Sequence, residues 1–246
     1  MRWISNAFFY IRHADPIYNP DSLTPLGIRQ AEALAKRLAQ YGLDKVYSST
    51  SNRAIMTAQP TCELLKMEPE LLEFAKEIHA FHDFHEALED GRKRWIFQSP
   101  YYINLFHEKE IRDLGDLWYN HPAFEKTNCK EGIIRIYEEA DRFFANLGYE
   151  HLRYTGKYKV TRSNNQRVAF FAHSGFGMAF LSSLLDIPYP VICSQFGLSH
   201  SSITVIDFIE QDGYCIPKVV EWNSDSHLDR ENLPSKFMAR EQTILF

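Results

Sequence analysis

Five side chains with the right chemistry stand at the ends of short apolar runs. Arg12-His13 closes Ala7-Phe8-Phe9-Tyr10-Ile11, and His173 closes Val168-Ala169-Phe170-Phe171-Ala172. Arg53 follows Lys45-Val46-Tyr47-Ser48-Ser49, and Glu77 follows the run from Glu70 to Phe74. Two guanidinium groups, two imidazoles and a carboxylate suit phosphoryl transfer. Guanidinium offers a rigid fork to phosphate oxygens. An imidazole attacks phosphorus only when uncharged, and nearby positive charge keeps it so. The attack gives a phosphohistidine, splitting one displacement into two in-line steps. His13, flanked by Arg12, is the candidate nucleophile. Glu77 is the candidate proton donor to the leaving alkoxide and then the activator of water. The arginines carry the charge stabilisation, so this chemistry calls for no metal and no cofactor.

These residues meet only if the runs are parallel strands, whose carboxyl ends share one edge where ligands bind in open α/β sheets. The intervening sequence fits that arrangement. Thr24-Pro25 opens a helix with a capping hydroxyl and a first-turn proline. Leu26, Gln30, Leu34 and Leu38, with Ala31 and Ala35, form its apolar stripe, and Gly42 ends it. Thr50-Ser51-Asn52 supplies a cap for the next helix, in which Pro60 predicts a kink or restart. Lys130–Leu147 and Phe176–Leu185 have helical patterns, with a polar connection over Lys157–Arg167. Ser202–Ile209 and Tyr214–Trp222 predict a hairpin around Gln211-Asp212-Gly213, and the last twenty or so residues a surface tail. Between about Arg92 and Pro122 the alternation breaks into an aromatic-rich stretch, which predicts a helical cap inserted at about 80–128. The expected fold is α/β, a three-layer α/β/α sandwich around a mostly parallel sheet, in one domain over residues 1–246.

With 27 Lys and Arg against 32 Asp and Glu, the net charge of -5 gives no footprint for nucleic acid. The four cysteines lie far apart, as reduced residues rather than a disulfide or zinc framework. No apolar run approaches the ~18 residues of a membrane span, and no signal peptide is evident, so a cytoplasmic protein is expected. His79, His82 and His85, interleaved with Asp83 and Glu86, read as a solvated face rather than a metal site, and Arg92-Lys93-Arg94 reads likewise. His200, ahead of the Ser202 strand, receives no role.

Arg12-His13-Ala14, Leu23-Thr24-x-x-Gly27-x-x-Gln30-Ala31, Ser48-Ser49-x-x-x-Arg53-Ala54-x-x-Thr57-Ala58 and the late His173 together resemble the histidine phosphatase superfamily, the phosphoglycerate-mutase-like group, in its first branch. The resemblance runs over roughly residues 7–228 and implies a phosphoglycerate-mutase-like fold. It implies that Arg12 binds phosphate, that His13 is the nucleophile, and that Arg53 and His173 match the second arginine and histidine. It also implies that Glu77, followed by His79, donates the proton and that Asn19 contacts substrate. Asn223, His227 and Leu228 resemble the closing segment. Ser174 joins the phosphate-binding set at the helix start after His173. Ala14 and Ser174-Gly175 depart from the usual glycines and bear on loop geometry. The expected function is a phosphohydrolase acting on a small phosphomonoester through a phosphohistidine. A cofactor-dependent phosphoglycerate-type mutase and a non-catalytic phospho-ligand-binding module are the alternatives. The expected partner is a small phosphorylated metabolite, neither nucleic acid nor membrane, with a homodimer left open.

Overall fold

Alternation along the first strand decides the layering. In the computed structural model, which describes residues 6–235, β1 (Ala7–Arg12) is buried on both faces. The chain continues through a ribbon of β2 (Pro16–Tyr18) and β3 (Asp21–Leu23), then α1 (Pro25–Tyr41), β4 (Lys45–Ser49), α2 (Asn52–Leu65), β5 (Glu70–Leu72) and α3 (Glu77–Asp83). A second ribbon, β6 (His85–Ala87) with β7 (Lys93–Trp95), leads into α4 (Pro100–His107) and α5 (Lys109–Leu114). The rest is α6 (Cys129–Leu147), β8 (Tyr149–Leu152), β9 (Lys157–Val160), β10 (Arg167–Ala172), α7 (Ser174–Leu185), α8 (Tyr189–Gln195), β11 (Ile203–Gln211), β12 (Tyr214–Ser224) and α9 (Ser226–Arg230).

The main sheet has eight strands in the order β5-β4-β10-β1-β11-β12-β9-β8. From β5 to β1 every pairing is parallel, and this half carries the candidate site. Beyond β1 the sheet is extended by antiparallel pairings. Phe8, Tyr10 and Phe170 face Phe143 and Phe144 of α6 and Phe176 and Phe180 of α7. Phe9, Ile11, Val46 and Phe171 face Leu34 and Leu38 of α1 and Ala58 and Cys62 of α2. This period-two division of side chains between two helical layers is what a strand buried on both faces requires.

The insertion is mainly helical, as expected, but opens with the β6–β7 ribbon. Its centre is Trp118, fully buried, with Phe124 4.7 Å away edge-on and Tyr189 of α8 stacked at 5.3 Å. These aromatics belong to the same buried cluster as Phe8 and Phe170, so the insertion shares the core of the sheet.

Several local expectations need correction. Lys157–Val160 is strand β9 rather than connection, with Tyr158 buried between exposed lysines. α2 runs unbroken through Pro60, held by its packing along α1. Ser51 occupies its N-cap position without a side-chain capping bond. Glu70–Phe74 yields only three strand residues before a 3₁₀ turn over Glu73–Ala75. The expected tail is structured as far as it is described: Leu228 and Leu233 pack on Ala33 of α1, and residues 236–246 lie outside the described residues. The Asp212-Gly213 turn is as expected, both residues having positive φ.

Candidate active site

The parallel half brings the ends of β1, β4 and β10 to one edge. The His13 N–H donates to Ala172 O at 2.9 Å, tying the first motif to the strand that delivers His173, and the two imidazole centroids lie 5.2 Å apart. The loop after His13 is fixed by α1 and α2. Ala14 N–H donates to Thr57 Oγ1 at 3.0 Å and Asp15 N–H to Gln30 Oε1 at 2.9 Å. A Cβ on Gly27 would stand 2.2 Å from the Asp15 carbonyl oxygen, so glycine is needed for α1 to approach this loop. Thr24 caps α1 by accepting from Gly27 N–H at 3.0 Å, and its hydroxyl donates to Asp15 Oδ2 at 2.7 Å. Thus Thr24, Gly27 and Gln30 together act on the loop behind His13.

His13 is buried, and its Nδ1 lies 2.7 Å from Ala14 O. A carbonyl only accepts, so Nδ1 carries the hydrogen and the neutral ring has its lone pair on Nε2. Burial, then Arg12, and more weakly Arg53 and His200, hold the ring's pKa well below the usual histidine value against the opposing bond to Ala14. His173 is fully buried and likewise lowered by burial first, then by His13, Arg53 and Arg12. Its Nε2 meets Ser49 Oγ at 2.9 Å.

Arg12 Nη1 donates to Leu198 O at 2.5 Å and Nη2 to His200 Nε2 at 2.8 Å. That leaves the His200 hydrogen on Nδ1, which faces Asp15 Oδ1 at 3.3 Å. The loop carrying His200 is braced from the chain's closing segment. Asn223 Oδ1 accepts from Ser199 N–H at 2.5 Å, and His227 Nε2 meets Ser201 Oγ at 3.0 Å. Arg53, buried at the start of α2, donates from Nη1 to Asp21 Oδ1 at 2.8 Å and lies 5.4 Å from the Tyr18 ring centroid. Glu77 accepts from Gly175 N–H and Phe176 N–H, one to each carboxylate oxygen, both at 3.0 Å. Burial raises its pKa, against the lowering effect of those two bonds and of Arg53 and Arg12.

Arg12, His13, Arg53, Glu77 and His173 are therefore drawn together. Asn19 stands exposed at the tip of the β2–β3 ribbon, and Ser174, half-buried, is the first residue of α7. Sequence reasoning did not assign Tyr18, Asp21, Trp95 or His200. The ribbon folds back over α2, a contact between residues about thirty positions apart. Trp95 covers the start of α7, its ring 2.3 Å from where a Gly175 Cβ would stand. Among the described residues, no group of three or more His, Cys, Asp or Glu side chains is arranged to hold a metal ion.

Three buried nitrogens here have no hydrogen-bond partner: Arg12 Nε, Arg53 Nε and His173 Nδ1. Buried polar atoms are rarely left unpaired, and these three sit on residues around one neutral imidazole.

The family model of the histidine phosphatase superfamily (branch 1) matches residues 9–95. The match is a likeness over that segment alone. It contains Arg12, His13, Arg53 and Glu77, while His173 comes from beyond it. No curated protein sequence matches the chain. Among solved structures, phosphoserine phosphatase from Entamoeba histolytica in complex with 3-phosphoglyceric acid superposes with a TM-score of 0.58 at 20% identity, covering 91% of this chain and 99% of that one. Mycobacterial glucosyl-3-phosphoglycerate phosphatase, in its complex with VO3, gives a TM-score of 0.55 at 17% identity, covering 89% and 99%. A protein titled mycobacterial hydrolase 1 gives 0.59 at 18%, also covering 89% and 99%. The fold of these structures thus extends over most of the chain.

Proposed function

We propose that this protein is a phosphohydrolase that removes phosphate from a small phosphomonoester through a phosphohistidine at His13, without a metal. The observation that carries the reading is the set of three unpartnered buried donors around a neutral His13. In the first step His13 Nε2 attacks phosphorus and the ester P–O bond breaks, while Glu77, protonated, gives its hydrogen to the departing oxygen. In the second, Glu77 as carboxylate takes a proton from water, which attacks phosphorus and releases His13 and inorganic phosphate. Arg12, Arg53 and His173 hold the transferred group. A hydrogen on His173 Nδ1 leaves Nε2 to accept from the Ser49 hydroxyl, which itself accepts from Ser51 N–H at 3.2 Å.

Hydrolysis of p-nitrophenyl phosphate in the presence of a chelator tests this function. Turnover that falls at least ~10²-fold in Arg53→Ala agrees with loss of a transition-state donor. Turnover abolished by the chelator, or unaffected by the substitution, contradicts it. The mutase alternative requires isomerisation of a phosphoglycerate with a bisphosphorylated primer, whereas the reading here expects phosphate release.

A further inference from the structure

We propose that the leaving-group side of the pocket selects phosphomonoesters of uncharged alcohols against those bearing a second anion, and that Asp21 sets this preference. The proposal rests on the phosphatase reading above and goes on to name its substrate class.

Asp21 Oδ1 is 2.8 Å from Arg53 Nη1, so one donor of that arginine is already engaged by an anion of the protein itself. The same side chain accepts from Asn52 N–H through Oδ2 at 2.8 Å, which fixes it at the start of α2. Lys76 and His79, which flank Glu77 in sequence, both lean on Glu73, at 3.5 and 3.1 Å. Asp15 faces His200. A transferred phosphoryl group still finds the buried donors of Arg12, Arg53 and His173. A second negative group, placed outward on the departing alcohol, meets Asp21 and Glu73 instead.

The rim favours the opposite kind of group. Tyr18 is 69% exposed over Arg53, its ring centroid 5.4 Å from the guanidinium carbon. Ile78, next to Glu77, is 54% exposed. An aromatic ring and an aliphatic side chain offer contact to an uncharged or partly apolar alcohol and carry no positive charge to pair with a carboxylate.

Two unit charges several ångströms apart at a partly solvated protein surface repel by about as much as a tenfold change in binding. Glycerol 3-phosphate and 3-phosphoglycerate share a carbon skeleton and differ by a hydroxymethyl group against a carboxylate. Steady-state kinetics should show kcat/KM roughly tenfold higher for glycerol 3-phosphate. Asp21→Asn removes the charge while keeping an acceptor for Asn52 N–H, and should shrink that ratio by about threefold or more; Asp21→Glu should keep it. A wild-type ratio at or below one, or a ratio unchanged in a folded Asp21→Asn, overturns the proposal. Calorimetric binding of the two esters to His13→Ala reads the same preference without turnover. If p-nitrophenyl phosphate is not hydrolysed, the phosphatase reading fails on its own, and equal affinity of the two esters for His13→Ala counts separately against the selectivity.

Discussion

Glu77→Gln separates two roles that share one geometry. As a helix cap, the carboxylate takes both N–H groups at the start of α7; as an acid, it gives a proton to the leaving group. Each of its two bonds, at 3.0 Å, joins a carboxyl oxygen to a backbone donor. Glutamine retains one acceptor and turns an NH2 toward the other N–H, so about 1–3 kcal/mol of stability should be lost. For a chain of this size that lowers Tm by a few degrees, roughly 2–4 °C per kcal/mol. Capping alone would reduce turnover of all substrates alike. Acid catalysis is worth about 10²–10⁴-fold, and only where the leaving group needs a proton. We therefore expect kcat/KM to fall by at least ~10² for an alkyl phosphate and by less than ~tenfold for p-nitrophenyl phosphate, whose phenolate leaves unaided. Burial raises Glu77 above the usual glutamate range. The wild-type alkyl reaction should thus lose activity as pH rises through that raised value, and the variant should lack this alkaline limb. Equal losses for both esters would refute the acid role and leave Glu77 as a cap.

Three other outcomes follow from the same contacts. His200→Ala removes the acceptor of Arg12 Nη2, and should raise KM several-fold with a smaller change in kcat; unchanged kinetics would show that Leu198 O alone positions Arg12. Gly175→Ala drives a methyl into Trp95 and should cost about 1–3 kcal/mol in urea unfolding, with Trp95→Ala recovering part of it in the double variant. His151 sits between Asp141 Oδ1 at 2.8 Å and Asp186 Oδ1 at 3.2 Å. Burial lowers its pKa, but the two carboxylates outweigh that and leave it raised. The stability it contributes is fully present below the ordinary histidine pKa and lost as pH rises through the raised one. The Tm difference between wild type and His151→Phe should therefore shrink from pH 6 toward alkaline pH, and a constant difference would contradict the charged pair.

What the sequence revealed, and what it did not, follows the range of the interactions. His13, Arg53, Glu77 and His173 could be placed because each follows a short strand-like run, and parallel pairing then leaves few positions for it. Gly27 and Gln30 were legible as spacing, though their joint action on the Asp15 loop emerges only in three dimensions. Asp21 had no signal as the partner of Arg53, because nothing local says where a hairpin folds back. His200 lacked a signal for the same reason: its partners, Arg12 and Asp15, lie near the other end of the chain. For β9 the signal existed, since Lys157-Tyr158-Lys159-Val160 alternates, but the charged residues masked it. Pro60 misled because helix–helix packing outweighs one lost backbone bond.

The most direct measurement is rapid quenching of the enzyme with a phosphate-labelled substrate. The account predicts a covalent label that survives alkali, is lost in acid, maps to the peptide containing His13 and is absent from His13→Ala. A label that persists in that variant, or one that resists acid, would contradict it.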